Sequence, residues 1–145
     1  MEIKETQDTT STTYKDALDI RRAVFVVEQQ VPLDLEIDQY EADCTHFVLY
    51  TSEHLPVATL RILLLKDNDD VLIQRVATLK NHRGNGYAAS LVTAALAYLK
   101  TKNIMRVELH AQLQAIPFYK KLGFEAFGSE FLDADISHMA MKKTI

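Results

Sequence analysis

The sequence predicts one α/β (α+β) domain: a mixed, mostly antiparallel sheet of six to seven strands, split around a βαβ unit and flanked by about four helices. Three observations predict it. The apolar runs Thr45 to Thr51, Val57 to Leu65 and Val71 to Leu79 follow one another across short polar segments, which makes hairpin pairing natural. A glycine-punctuated turn, Arg83-Gly84-Asn85-Gly86-Tyr87-Ala88, then joins the third run to an alanine- and leucine-rich helical segment and a further strand. Finally, 145 residues suit a single domain with a real core and are too few for two comfortable ones.

Taken in order, residues 2 to 7 form a short first strand, and the polar cluster Asp8 to Thr13 supplies N-caps for a helix running to about Gln30. Tyr14, Ala17, Leu18, Arg21, Val24, Phe25 and Glu28 recur at three- and four-residue intervals and share one face of that helix. Val31-Pro32-Leu33-Asp34 ends it, because proline cannot continue a helix. The acidic segment Asp34 to Asp43 is too rich in carboxylates for a core and reads by default as a solvated loop. Ser52 to Pro56 and Asp67 to Asp70 are the turns between the three antiparallel strands. The helix Ala88 to Lys100 alternates small and large apolar residues and closes with positive charge at its C-terminal end. Ile104 to His110 reads as a strand and Ala111 to Leu122 as an amphipathic helix stopped by Gly123. Phe124 to Phe127 and Ile136 to Met141 are the last strands.

The glycine turn is the chemically informative stretch. The first N–H groups of a helix lack internal partners and sit at the positive end of its dipole, so a turn of this kind suits a phosphate or pyrophosphate. Gly84-x-Gly86-x-x-Ala89 also fits a dinucleotide-binding fingerprint, and glycines before a helix can simply make a tight turn. The dinucleotide reading needs its fingerprint after a first strand, with an acidic residue closing the next one. Here three hairpin-linked strands come first, and Glu108 lies inside the following strand.

The spacing Arg-x-x-Gly-x-Ala (Arg83, Gly86, Ala88) resembles the coenzyme A pyrophosphate loop of the GCN5-related N-acetyltransferase (GNAT) superfamily. Ala115-Ile116-Pro117-Phe118-Tyr119-Lys120-Lys121-Leu122-Gly123-Phe124 resembles that superfamily's Ala-x-x-Phe-Tyr-x-x-x-Gly-Phe segment, at the expected distance after the loop. More narrowly, Val24 to Pro32, Glu36-Ile37-Asp38, His46, Leu109 to Gln112 and Ser137-His138-Met139 resemble the ElaA/YjcF-like branch of small bacterial acetyltransferases. The resemblance implies the GNAT fold and an acetyl-CoA-dependent N-acetyltransferase acting by direct attack of an amine on the thioester. It implies coenzyme A at Arg83, Gly84, Asn85, Gly86, Tyr87, Ala88 and Ser90, along the strand edge at Arg75, Val76 and Ala77, and beside Gln112, Phe118 and Tyr119. A backbone N–H at Val76 or Ala77 would polarise the thioester carbonyl. Tyr119 would protonate the departing thiolate, a role open to a phenol at neutral pH, although helix periodicity alone would leave it in the packing. The acceptor, a small-molecule amine or a peptide, would lie beside Phe25, Glu28, His110 and His138, of which Glu28, His110 and His138 are candidate bases.

Two rival functions follow from other residues. Arg21-x-x-x-Phe25, Glu36-x-Asp38-x-x-Glu41 and Arg61 resemble the charged cluster of acyl-homoserine-lactone synthases, but the tryptophan expected between Phe25 and Glu36 is missing and the chain contains none. The cluster reads better as an ion network of Arg21 or Arg22, Arg61 and the carboxylates, ordering a lid over the substrate pocket. The other rival is a non-catalytic domain that binds coenzyme A and senses it.

Composition narrows the partners. A formal net charge of −4 gives no nucleic-acid footprint and no basic membrane-binding face. Cys44 is the only cysteine, which excludes an internal disulfide and fits a reducing cytosol. Without a membrane-length apolar run or a secretion-like N-terminus, the expected location is cytoplasmic; a homodimer is open. Asp43, Cys44 and His46 lack the further nearby ligands that a structural zinc site needs, so no metal is expected.

Overall fold

The computed structural model describes residues 1–64 and 70–145, so most of the turn expected at Asp67 to Asp70, and Leu65 at the end of the second apolar run, lie outside the described residues. Seven strands are described: β1 (Glu2–Thr6), β2 (Cys44–Tyr50), β3 (Pro56–Leu64), β4 (Asp70–Thr78), β5 (Arg106–Gln112), β6 (Glu125–Asp133) and β7 (Ile136–Thr144). They form one sheet in the order β1-β2-β3-β4-β5-β7-β6. Among the described residues, β4 and β5 are the parallel pair and every other pairing is antiparallel. The helices are α1 (Thr12–Arg21), α2 (Leu33–Glu36), α3 (Tyr87–Thr101) and α4 (Ile116–Lys121). This is the mixed sheet around one βαβ unit that the sequence predicts. Among the described residues, no helix is long and apolar enough to cross a membrane.

Because successive strand residues point to opposite faces, a strand buried throughout must be covered on both sides. β2 is such a strand. Phe47 and Leu49 pack with Leu91, Val92, Ala95 and Leu99 of α3, whereas Val48 and Tyr50 pack with Ala17 and Ile20 of α1. Each fully buried side chain of this size is worth about 1.5–3 kcal/mol relative to exposure, so these two layers hold the sheet and everything mounted on it.

Several elements differ from expectation. The long first helix is α1 followed by a π-helical turn, Arg22–Glu28, in which the N–H of Gln29 donates to the carbonyl of Val24 at 3.2 Å. The extra residue per turn rotates the helix face, so Tyr14, Ala17, Arg21, Val24 and Phe25 are buried while Glu28 comes out toward solvent. The helix expected from Ala111 begins only at Ile116, because β5 continues its pairing with β7 as far as Gln112↔His138 and Pro117 is admitted only in a first helical turn. β6 runs on to Asp133 and turns into β7 through Ala134 and Asp135, both at positive φ (50° and 61°), which is the backbone of a two-residue I′-type hairpin without the usual Asn-Gly.

The acidic segment is the main correction. Asp34 to Asp43 is not simply solvated, because Glu36 and Glu41 are buried. Arg21 donates to Glu36 (Nε, 2.8 Å) and to Glu41 (Nη1, 2.7 Å), and Arg61 donates to Glu41 (Nη1, 2.8 Å) and Asp38 (Nη2, 2.7 Å). Tyr14 Oη also donates to Glu41, and His46 Nε2 donates to the Glu41 carbonyl at 2.9 Å. Although burial opposes it, Arg21 foremost, with the Asp38 N–H and Arg61, holds the Glu41 carboxyl well below the usual range. The network ties the segment after the π turn to α1 and β3, as the ion-network reading of these charges expects, with Arg21 as the α1 member.

Candidate active site

The site begins where β4 and β5 part. Their parallel pairing stops at Ile73↔Leu109, yet β4 stays on β3 as far as Ala58↔Thr78 and β5 stays on β7 as far as Gln112↔His138. The cause is local. Between Thr59 and Arg61 the β3–β4 register slips, and Arg75 takes a left-handed φ of 57°, the signature of a bulge that bends β4 away from its neighbour. Past Ile73 the β5-facing edge of β4 therefore has no strand partner, and its main-chain groups open into the gap.

A cavity of about 490 Å³ occupies that gap, lined by β4 from Leu72 to Thr78, by β5 from Leu109 to Gln112, and by Phe25 and Gln29 of the π turn and its exit. Phe118 and Tyr119 of α4 floor it, and Asp133, Ala134, Ile136 and His138 of the last hairpin border it. A second hollow of about 400 Å³ lies over the glycine loop. Thr78, Arg83, Ala88 and Phe118 border both, so the two form one trough.

At the loop, Gly84 and Gly86 have φ of 85° and 76°, and a Cβ built on either would meet nothing within 4 Å. The conformation, not a lack of room, requires glycine, and the open space above it can take a ligand. Gly86 caps α3 without a side-chain hydrogen bond, which leaves N–H groups of the first turn directed outward. Asn85 Nδ2 donates to the His82 carbonyl at 3.0 Å, and the Ser90 N–H donates to the Gly86 carbonyl at 3.0 Å; neither residue lines the trough.

Arg75, Val76, Ala77, Gln112, Phe118 and Tyr119 all border the larger cavity. The Arg75 side chain is turned into the ion network, with Nε 3.2 Å from Glu36 and Nη2 3.3 Å from Asp38. Tyr119 packs against Phe118 and Phe124, and burial alone pushes its phenol well above the usual tyrosine range. Of the residues expected on the acceptor side, Phe25, His110 and His138 reach the cavity, and Glu28 does not. Instead, Glu28 Oε1 accepts from Arg83 Nη2 at 2.8 Å.

His138 is buried, and its Nδ1 lies 2.6 Å from the Ile136 carbonyl. A carbonyl only accepts, so Nδ1 carries the proton there and Nε2 is the acceptor of the neutral ring. His110 is more exposed and meets Phe131 edge-on, while Phe131 stacks on His138. Phe131, Asp133, Gln74 and Gln29 escape sequence reasoning. Only Gln29 had a local signal, its place in the Val24 to Pro32 segment, and it accepts from Gln112 Nε2 at 2.9 Å across the cavity mouth. Among the described residues, no group of three or more His, Cys, Asp or Glu side chains is placed to hold a metal ion.

Comparison with known proteins follows the geometry. Residues 10–145 match the family model described as an acetyltransferase (GNAT) domain. The uncharacterized N-acetyltransferase YjcF of Bacillus subtilis is 40% identical over 130 residues, which cover 89% of this chain and 91% of that protein. The crystal structure of Escherichia coli ElaA superposes with a TM-score of 0.86 at 28% identity, covering 99% of each chain. An acyl-CoA N-acyltransferase from Pseudomonas aeruginosa superposes with a TM-score of 0.85, also at 28% identity, covering 98% of each chain. An aminoglycoside 6'-N-acetyltransferase complexed with coenzyme A shares the fold, with a TM-score of 0.72 at 14% identity.

Proposed function

The chain belongs to the GNAT acetyltransferase family, in its ElaA/YjcF-like branch, and from that premise we propose that it transfers an acetyl group from acetyl-CoA to an amine of a small molecule or peptide in the cytoplasm. One observation carries the reading: the unpaired edge of β4 past Ile73 faces a trough that ends on the glycine loop. An amide-rich pantetheine arm needs a main-chain edge, and a pyrophosphate needs outward N–H groups. The trough offers both in one line.

Acetyl-CoA supplies the activated acyl carbon, and the chain's own residues hold, orient and protonate. The N–H groups after Gly86, with Arg83 beside them, would take the pyrophosphate. An N–H of Val76 or Ala77 on the bent edge of β4 would donate to the developing oxyanion, a kind of contact whose loss commonly costs about a hundredfold or more in rate. Tyr119, kept protonated by burial, would give its proton to the leaving sulfur. On the acceptor side, His138 Nε2, left as the acceptor by the Nδ1 hydrogen bond, would take a proton from the amine, and Glu28 would do so once released from Arg83. Phe25 would pack the acceptor's apolar part.

The test pairs binding with turnover. Wild-type protein is expected to bind coenzyme A in calorimetry and to release thiol from acetyl-CoA with at least one member of a panel of amines, amino acids, polyamines and peptides. Gly86→Asp, which sets a charged side chain at a φ of 76° beside the pyrophosphate, should lose binding and turnover together. Binding without turnover across the panel would instead favour a coenzyme A sensor.

A further inference from the structure

Arg83 Nη2 donates to Glu28 Oε1 at 2.8 Å, and Arg83 Nε donates to the Thr78 carbonyl at 3.0 Å. The clasp joins the end of the π turn to the glycine loop, 55 residues apart in the chain. Its two ends stand differently toward the trough: Arg83 borders both hollows, and Glu28 borders neither. The next residue, Gln29, is in the cavity wall and bonded across it to Gln112. Glu28 is thus one residue from the acceptor space, held out of it by the arginine that stands at the pyrophosphate loop. Both side chains are partly exposed (45% and 31%), so the clasp is weak enough to exchange.

We propose that the clasp is a cofactor-operated release: the pyrophosphate of coenzyme A competes with the Glu28 carboxylate for the Arg83 guanidinium, and cofactor binding thereby delivers Glu28 to the acceptor side. This rests on the assignment of the glycine loop to coenzyme A. A pyrophosphate brings more negative charge than one carboxylate, presents it to a guanidinium with bidentate geometry, and is held in addition by the N-terminus of α3. The carboxylate loses the competition. It is then an uncompensated anion one residue from the cavity, suited to bind or deprotonate a cationic amine. Arg83 is a positioning residue for Glu28 in the absence of cofactor, and the acceptor site becomes complete only after the cofactor is in place.

Competition has a sign that a static brace does not share. If Glu28 competes, removing its charge helps the ligand; if it only braces the loop, removing it harms the ligand. Calorimetry with coenzyme A alone, needing no turnover, is expected to find Glu28→Gln binding about three- to fivefold tighter than wild type, the upper part of what an exposed ion pair can contribute. In an Arg83→Gln background the same substitution should change the affinity by less than a factor of about 1.5, because the contested group is gone. Tightening that persists in Arg83→Gln would mean simple repulsion between carboxylate and pyrophosphate, and would overturn the proposal, as would unchanged or weaker binding by Glu28→Gln. Wild-type protein that binds no coenzyme A would remove the loop assignment itself, a failure distinguishable from both.

Discussion

The two ends of the trough are built in opposite ways. The end proposed for the cofactor is one continuous stretch, Thr78 to Ala88, which offers main-chain N–H donors and two glycines. The acceptor end gathers Phe25 and Gln29 from the π turn, Arg75 from the bulge, His110 and Gln112 from β5, and Asp133 to His138 from the last hairpin. One end follows from local backbone conformation. The other exists only while distant segments are held together, and beneath it the buried Arg21, Arg61, Glu36 and Glu41 side chains do the holding. The difference teaches where change is tolerated: a new acceptor can be accommodated by altering separate segments, without touching the loop proposed to take the cofactor.

The largest expected effect breaks the holding side. Arg21→Met leaves the Glu36 and Glu41 carboxylates buried beside fewer donors, which should cost about 3–5 kcal/mol of unfolding free energy in urea titration. Coenzyme A affinity measured where the variant is still folded should change little, since Glu36, Gln74 and Arg75 of the network line the larger cavity but no network residue borders the hollow over the glycine loop; a parallel loss of affinity would show that the two ends are one unit. The same network sets an acid limb. Glu41 has a folded pKa below its ordinary 4.5, so its contribution is fully present above that value and is lost as pH falls through the folded value. Glu41→Gln should therefore be less stable near neutrality and flatter on the acid side.

How much of each end is legible in sequence follows from the same contrast. Arg83, Gly86 and Ala88 can be read because a glycine turn that opens a helix needs particular residues at fixed short spacings. Phe131 and Asp133 cannot, because their place depends on β6 continuing past Gly128 through a register irregularity to a turn with no Asn-Gly to announce it. The burial of Glu36 and Glu41 is likewise invisible locally: a carboxylate run looks solvated until Arg21 and Arg61 arrive from α1 and β3. The π turn hides for a related reason. Its apolar spacing is helical, and only the packing of Phe25 and the exit at Gln30, with φ of 59°, widens the last turn.

Between the two ends stands Tyr119, and the next prediction sharpens the comparison there. Tyr119→Phe keeps the ring packing against Phe118 and Phe124 and removes only the hydroxyl that would carry the proton, so stability and coenzyme A affinity should hold while turnover falls about a hundredfold. Wild-type turnover by Tyr119→Phe across the pH range would return the residue to the floor of the trough as a packing group.

The smallest effect concerns the hairpin that borders the acceptor end. Asp135 is exposed and sits at a φ of 61° in a turn whose two central residues must both be left-handed. A left-handed L-residue costs about 1–2 kcal/mol, somewhat less for aspartate, whose short polar side chain suits that region. Glycine removes this cost but makes the unfolded chain more flexible, which takes back about 0.4–1 kcal/mol. Asp135→Gly should therefore stabilise the protein by about 0.5 kcal/mol, read as a rise in the urea midpoint with an unchanged slope. Ala134 is left in place because it packs beside the α1 core, where its methyl group contributes as well as strains. A neutral or destabilising Asp135→Gly would mean that this packing, and not the turn's own preference, sets the hairpin's shape, extending to its last segment the rule that the acceptor end is held from outside.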